Sequence, residues 1–92
     1  MDKSMKCKYK YIQFIRSSKQ NPKTWIYLVR ANYDLALLGE IRWYAQWRQY
    51  AFYPESGTVF EKQCLADIKE FCIELNERQQ LKRKKVIYIQ TG

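Results

Sequence analysis

One apolar stripe in the second half of the sequence most constrains the fold. Between residues 64 and 75, apolar side chains recur at intervals of three and four, which is the spacing of one helix face: Cys64, Leu65, Ile68, Phe71, Cys72 and Leu75. The opposite face carries charges: Asp67, Lys69, Glu70, Glu74, Glu77 and Arg78. Thr58-Val59-Phe60-Glu61 has capping-box spacing, although the helix could equally begin one turn later. An amphipathic helix must bury its stripe against another layer of the fold.

The first half of the chain supplies a β-sheet as that layer. Aromatic and β-branched residues indicate strands at 9–16 and 24–31, joined by a loop at 17–23. Residues 37–44 and 47–53 are predicted to form a hairpin that turns at Ala45-Gln46. This pair lacks the usual Asn-Gly chemistry, so a loop longer than two residues stays open. Val86–Gln90 are predicted to form a short C-terminal strand. The prediction is a single α+β domain over residues 1–92. It is an antiparallel sheet of three to five strands with one long amphipathic helix packed on one face.

Composition is typical of a folded protein inside a cell. The chain has 92 residues, of which 47% are hydrophobic and 16% aromatic, unlike a disordered sequence. Its start has charges but no apolar run behind them, and no stretch has the length of a membrane span, so we expect no membrane partner. Cys7, Cys64 and Cys72 have no CxxC spacing. We therefore expect reduced cysteines and a cytoplasmic location.

Residue types argue against catalysis. The chain has no histidine, so the usual general base, the commonest metal ligand and any Ser-His or Cys-His pair are missing. Three dispersed cysteines without histidine make no standard zinc site, and the isolated glycines form no phosphate loop. Glu70 and Glu74 stand one turn apart, but such pairs on amphipathic helices usually lie on the surface. We predict a protein that is not an enzyme and has no cofactor or metal, while a histidine-free nuclease using Tyr, Arg and Glu remains an open alternative.

Positive charge is unevenly distributed. The net charge is +8: residues 1–54 hold ten Lys and Arg against three acids (+7), residues 55–80 three against six (−3), and residues 81–92 four against none (+4). A solvated surface would explain a single charge run. The asymmetry instead indicates that positive potential is concentrated on one part of the molecule.

Side-chain alternation in the predicted hairpin gives two different faces. If Trp43 pairs with Arg48, the face toward the helix carries Leu37, Gly39, Ile41, Trp43, Tyr50 and Phe52. The other face carries Glu40, Arg42, Tyr44, Trp47, Gln49 and Tyr53. One helix cannot cover both sides of a sheet, and aromatic rings beside guanidinium groups suit base stacking and phosphate pairing as well as protein interfaces. A one-residue error in register would exchange the faces.

Ten residues are the predicted binding residues: Arg42, Tyr44, Trp47, Arg48, Gln49, Tyr53, Lys82, Arg83, Lys84 and Lys85. An alternative use of Tyr44 and Trp47 is to pack against another strand or a second subunit, so a homodimer is possible.

Part of the sequence resembles a known group of proteins. The resemblance is carried by Leu38-Gly39-Glu40-Ile41-Arg42-Trp43-Tyr44, Trp47-Arg48-Gln49-Tyr50, Phe52-Tyr53-Pro54-Glu55, Thr58-Val59-Phe60, and residues 64–71. This order of aromatic, basic and proline positions resembles small, poorly characterised bacteriophage and prophage proteins, over about a third of the chain. Ala45-Gln46 stands where turn-forming residues are expected and Ala51 where a larger side chain is expected, and neither departure touches the predicted face.

The resemblance implies a phage accessory protein acting in the host cytoplasm. Such proteins often disable host machinery by stoichiometric binding, so our leading hypothesis is a non-enzymatic inhibitor or modulator of a host nucleic-acid-handling or defence system. Its partner would be a host protein or nucleoprotein complex. Two alternatives stay open. One is direct binding of DNA or RNA through the basic aromatic face, and the other is sequestration of a small nucleotide signal in a pocket between subunits.

Overall fold

A four-stranded meander with one helix forms the fold. The computed structural model describes residues 5–17 and 24–91, with side chains described up to residue 81. The elements are β1 (Ile12–Arg16), β2 (Tyr27–Ala31), β3 (Leu37–Tyr44), β4 (Gln49–Pro54) and α1 (Lys62–Thr91). The strands are antiparallel in the order β1-β2-β3-β4, and α1 packs on one face of the sheet. This is the predicted α+β arrangement.

The predicted C-terminal strand is wrong. Val86–Gln90 continue α1, which extends to Thr91, so Lys82–Lys85 lie within the helix rather than at or beyond its end. The sequence contains no glycine or proline from Thr58 to Thr91, and residues 79–85 are strong helix formers. The β-branched residues after them follow without a signal that would end the helix.

Glu61 fixes the start of α1. The backbone amide of Cys64 donates to Glu61 Oε1 at 2.6 Å, and the amide of Leu65 donates to the Glu61 carbonyl at 3.1 Å. The Thr58 hydroxyl donates instead to the Glu55 carbonyl at 2.8 Å, so Thr58 and Glu61 form no capping box. The helix therefore begins one turn after Thr58, and a carboxylate meets its positive end.

The core lies between α1 and the sheet face that it covers. Its buried residues are Ile12, Phe14, Val29, Ile41 and Tyr50 from the strands, with Cys64, Ile68, Phe71 and Leu75 from the helix. The ring of Phe71 is stacked on that of Phe14, with centroids 4.1 Å apart, and meets the ring of Tyr27 edge-on at 5.1 Å. These contacts hold the helix across β1 and β2.

The buried stripe of α1 differs from the predicted one at two residues. Leu65 is 51% exposed, whereas Asp67, which was assigned to the charged face, is only 4% exposed. Asp67 stands three residues after Cys64 and four before Phe71, on the same side of the helix. The buried face of α1 is therefore rotated toward Asp67 and away from Leu65, relative to the face predicted from the apolar residues.

The hairpin register is two residues from the predicted one. Trp43 pairs with Tyr50 and Tyr44 with Gln49, which leaves residues 45–48 as a four-residue turn. Because the difference is an even number of residues, the two faces stay as predicted from Gly39 to Tyr53. Leu37, which was predicted to face the helix, instead pairs with Arg30. A bulge opposite Val29/Arg30 interrupts this alternation at the start of β3, where Leu38 packs against the core.

Candidate binding site on the open sheet face

The second face of the sheet is where the candidate site lies. In the described parts of the chain, no helix or strand covers this face, which we call the open face. Pairing places these residues on it: Gln13, Ile15, Leu28, Arg30, Glu40, Arg42, Tyr44, Gln49, Ala51 and Tyr53. Aliphatic side chains lie toward β1 and aromatic ones toward β4. The open face therefore combines apolar surface with arginines, as predicted from the alternation.

Arg42 joins charge to an aromatic ring on neighbouring strands. Its guanidinium carbon lies 4.3 Å from the ring centroid of Tyr53, within the range of a cation–π contact. Its Nε also lies 3.6 Å from Glu40 Oε1. An exposed ion pair of this kind contributes little to stability. The guanidinium thus contacts both the Tyr53 ring and the Glu40 carboxylate.

Trp47 stands at the hairpin turn beside the open face. Its ring meets that of Tyr44 edge-on, with centroids 4.7 Å apart, and 65% of the residue is exposed. The Tyr44 hydroxyl donates to Gln46 Oε1 at 2.6 Å, which fixes the tyrosine ring under the indole. A shallow depression of about 180 Å³ lies here, lined by Tyr44, Trp47, Ala51, Phe52 and Tyr53. We call Arg42, Tyr44, Trp47 and Tyr53 the aromatic patch.

Ala51 belongs to this surface, contrary to expectation. It pairs with Arg42 and lines the depression, so the departure from the phage pattern at this position does touch the site. A methyl group here leaves room between Trp47 and Tyr53 that a larger side chain would occupy.

Gln49 begins β4 opposite Tyr44, and Arg48 is the last residue of the turn. Both line a separate cleft between the hairpin turn and α1, together with Trp43, Asn76, Gln79 and Gln80. Sequence reasoning missed the three helix amides because they follow the apolar stripe without a charge or motif that marks them. The side chains of the predicted Lys82–Lys85 lie outside the described residues.

Another arginine–aromatic contact lies at the far edge of the sheet. The guanidinium of Arg16 lies 4.1 Å from the ring centroid of Trp25. Neither residue was predicted to form a site. Arg16 ends β1 and Trp25 shortly precedes β2, so both residues lie in an aromatic part of the sequence. Only the pairing of β1 with β2 brings their side chains together.

The acidic residues of α1 have different surroundings. Asp67 Oδ1 accepts a hydrogen bond from Gln63 Nε2 at 2.9 Å, while the buried Oδ2 has no partner among the described residues. Burial, reinforced by Glu70 and Asp67, raises the pKa of Tyr9 to about 12. A phenol with that pKa is a poor base near neutral pH. Glu74 pairs with Arg78 at 3.1 Å.

The described residues also form neither a metal site nor a membrane-spanning helix. No group of three or more His, Cys, Asp or Glu side chains is placed to hold a metal ion. No described helix combines the length and the apolar character that crossing a membrane requires.

A comparison with curated proteins finds similarity to a phage protein. The chain is 29% identical over 69 residues to an uncharacterized 9.3 kDa protein of Acholeplasma phage L2. The aligned region covers 75% of this chain and 88% of that protein. No protein-family model matches the sequence, and no solved structure matches it significantly. The likeness supports the resemblance to phage proteins in this coarse form.

Proposed function

We propose that this protein is a non-enzymatic phage-type accessory protein that inhibits or modulates a host nucleic-acid-handling or defence system. It acts by occupying a host protein or nucleoprotein complex stoichiometrically through the aromatic patch. The observation that carries the proposal is the exposed Trp47, which contacts Tyr44 beside the Arg42–Tyr53 pair at the open face.

Residue types and geometry support a binding role for the patch. Tryptophan, tyrosine and arginine are the residues that most often dominate the energy of protein interfaces. The Trp47 ring is fixed by Tyr44 before any partner arrives, so binding loses less conformational entropy. The depression beside it accepts one protruding side chain of a partner. Similarity to a phage protein supports the phage setting.

Direct binding of single-stranded nucleic acid is the second candidate. It is favoured by the net charge of +8 and by the combination of Arg42 with three aromatic rings on one face. Rings of this kind stack on bases, and arginines pair with phosphates. The two candidates differ in salt dependence, because each phosphate neutralised adds close to one unit to the slope of log affinity against log salt.

Affinity capture with a matched pair of variants tests the proposal. Wild type, Trp47→Ala and Tyr33→Ala are used as baits in bacterial lysate with and without nuclease. Tyr33 is a suitable control because it is 98% exposed and lies in the β2–β3 connection, away from the patch. The purified partner is then titrated against each variant by calorimetry.

We expect a near-equimolar partner that survives nuclease treatment. Trp47→Ala should weaken its binding by about 2 kcal/mol, roughly 30-fold, as for a central aromatic anchor. Tyr33→Ala should bind like wild type. Capture that disappears with nuclease, together with a steep salt slope on oligonucleotides, would favour the second candidate. Equal binding by Trp47→Ala and wild type would contradict both.

A further inference from the structure

A second candidate site lies on the other side of the hairpin tip. The cleft between the β3–β4 turn and α1 has a volume of about 130 Å³ and is lined by Trp43, Arg48, Gln49, Asn76, Gln79 and Gln80. We call it the amide cleft, because four of its six side chains are carboxamides. None of the lining residues is an acid. The cleft is therefore polar, weakly basic and rich in both donors and acceptors.

Asn76 and Trp43 are positioned by contacts with Tyr50, while most polar side chains that line the cleft form no hydrogen bond within the described residues. Asn76 Oδ1 accepts a hydrogen bond from the Tyr50 backbone amide at 2.8 Å, which ties α1 to β4 and leaves the Asn76 amide nitrogen available. Trp43 meets the Tyr50 ring edge-on at 5.4 Å. Within the described residues, the side chains of Arg48, Gln79 and Gln80 have no hydrogen-bond or ion-pair partner. These groups converge on the cleft without satisfying one another.

Arg48 occupies a strained backbone conformation. Its φ is 53°, in the left-handed region that glycine and asparagine adopt more easily. The turn closes around it, with the Trp47 amide donating to the Tyr44 carbonyl at 3.2 Å and the Arg48 amide to the Ala45 carbonyl at 3.1 Å. A non-glycine residue in such a position is a reason to look for a function of its side chain. That side chain borders the amide cleft.

We propose that the amide cleft binds a nucleotide. A nucleobase is a planar ring with donors and acceptors along its edge, which carboxamides of Asn76, Gln79 and Gln80 can match. Trp43 gives the base an aromatic wall, and the Arg48 guanidinium pairs with the phosphate in the two-point geometry that arginine favours. The cleft is smaller than the roughly 300–1,000 Å³ of sites for drug-sized ligands. It thus holds the base, and the sugar and phosphate lie at the opening beside Arg48.

The same chemistry is available from two sources. One is a free nucleotide, and the other is a single nucleotide of a strand that inserts its base. This site is independent of the aromatic patch, because Trp47 lies against Tyr44 on the open face while Arg48 lines the cleft.

Calorimetric titration of the intact protein tests the proposal. The probes are the four ribonucleoside 5′-monophosphates, inorganic phosphate, and a mixed-sequence pentanucleotide. The variants are Arg48→Gly, which keeps the backbone conformation and removes the guanidinium, and Gln79→Ala, which removes one amide. Arg30→Ala is the matched control, because Arg30 lies opposite Leu37 at the far end of β3. Melting temperatures are recorded for every variant.

We expect at least one nucleotide, free or within the pentanucleotide, to bind more tightly than inorganic phosphate. Arg48→Gly should weaken that binding at least tenfold while raising the melting temperature, since strain is relieved as the phosphate partner is lost. Gln79→Ala should reduce discrimination among bases, whereas Arg30→Ala and Trp47→Ala should bind nucleotide like wild type. The proposal is overturned if no nucleotide probe binds at millimolar concentration, if phosphate binds equally well, or if Arg48→Gly keeps wild-type affinity. None of these outcomes depends on whether the aromatic patch has a partner.

Discussion

Replacing Phe71 by alanine tests how the helix is attached to the sheet. Phe71 is 1% exposed, stacks on Phe14 at 4.1 Å and meets Tyr27 edge-on at 5.1 Å. Truncating a buried phenylalanine typically costs about 3–5 kcal/mol through lost burial and the cavity left behind. Two ring contacts place Phe71 in the upper part of that range, because an aromatic pair adds about 0.5–1.5 kcal/mol beyond burial. We expect a loss of about 4 kcal/mol.

That loss is large for a chain of 92 residues. Such a domain has a total stability of about 5–14 kcal/mol, and about 4 kcal/mol lowers its melting temperature by roughly 15–30 °C. Urea denaturation followed by circular dichroism gives the free energy of unfolding, and an unchanged slope shows that the folded state is comparable. Leu65→Ala is the control, since Leu65 is on the same helix but 51% exposed. A loss below about 1 kcal/mol at Phe71, or equal losses at both sites, would refute the described packing.

Three further predictions concern the core. A Cβ at Gly39 would lie 2.6 Å from the Tyr53 carbonyl oxygen and 2.7 Å from the Phe52 ring. Gly39→Ala should therefore lower the free energy of unfolding, measured by urea denaturation, by about 1–3 kcal/mol. An unchanged free energy would contradict the close strand pairing. Asp67→Leu should raise stability by about 1–3 kcal/mol because it removes a buried oxygen without a partner, whereas a lower melting temperature would show that this oxygen is satisfied. Burial raises the pKa of the Cys72 thiol from 9.0 to about 11, so the unfolded chain loses its proton first. The free energy of unfolding should therefore be undiminished below pH 9 and fall toward pH 11, and it should fall less steeply in Cys72→Ala. Melting temperatures that fall equally steeply with pH in wild type and Cys72→Ala would refute this.

Local periodicity was sufficient to predict the two layers of the fold. The spacing of Ile68, Phe71 and Leu75 predicts one buried helix face, and all three are buried. Alternation in β3 and β4 predicts which side chains face the helix, and this survives an error of two residues in the turn. Both signals depend only on the pitch of a helix or a strand, so neither requires knowledge of what packs opposite.

The sequence indicates the length of the turn only in part. Ala45-Gln46 lacks the Asn-Gly chemistry of two-residue turns, which left a longer loop open, and the chain uses four residues with Arg48 in the left-handed region. Glycine or asparagine at that position would have indicated the longer turn. The conformation of this turn also brings Arg48 and Gln49 to the amide cleft, which strand alternation alone does not indicate.

Asp67 was predicted to be exposed because it is charged, and it is buried. A carboxylate on an amphipathic helix is normally assigned to solvent, yet Asp67 is buried between Cys64 and Phe71. Its surroundings come from the helix–sheet packing, which places Tyr9 close enough for Asp67 to raise the tyrosine pKa. The spacing of residues along a helix does not indicate which residues from other parts of the chain will pack against it.

The hairpin tip separates two chemically different surfaces by one peptide bond. Trp47 lies against Tyr44 on the open face, whereas Arg48, the next residue, lines the cleft against α1. Adjacent residues in a regular strand also point to opposite faces, but here both residues lie beyond the last strand pair, and the turn conformation with φ of 53° at Arg48 sets their directions. A partner on the aromatic patch and a nucleotide in the amide cleft would thus both depend on this turn. Glycine at position 48 adopts the same left-handed conformation with less strain, so Arg48→Gly should weaken nucleotide binding and leave the aromatic patch unchanged. The proposed nucleotide site uses the Arg48 side chain and the aromatic patch does not, so this one variant separates the two proposals.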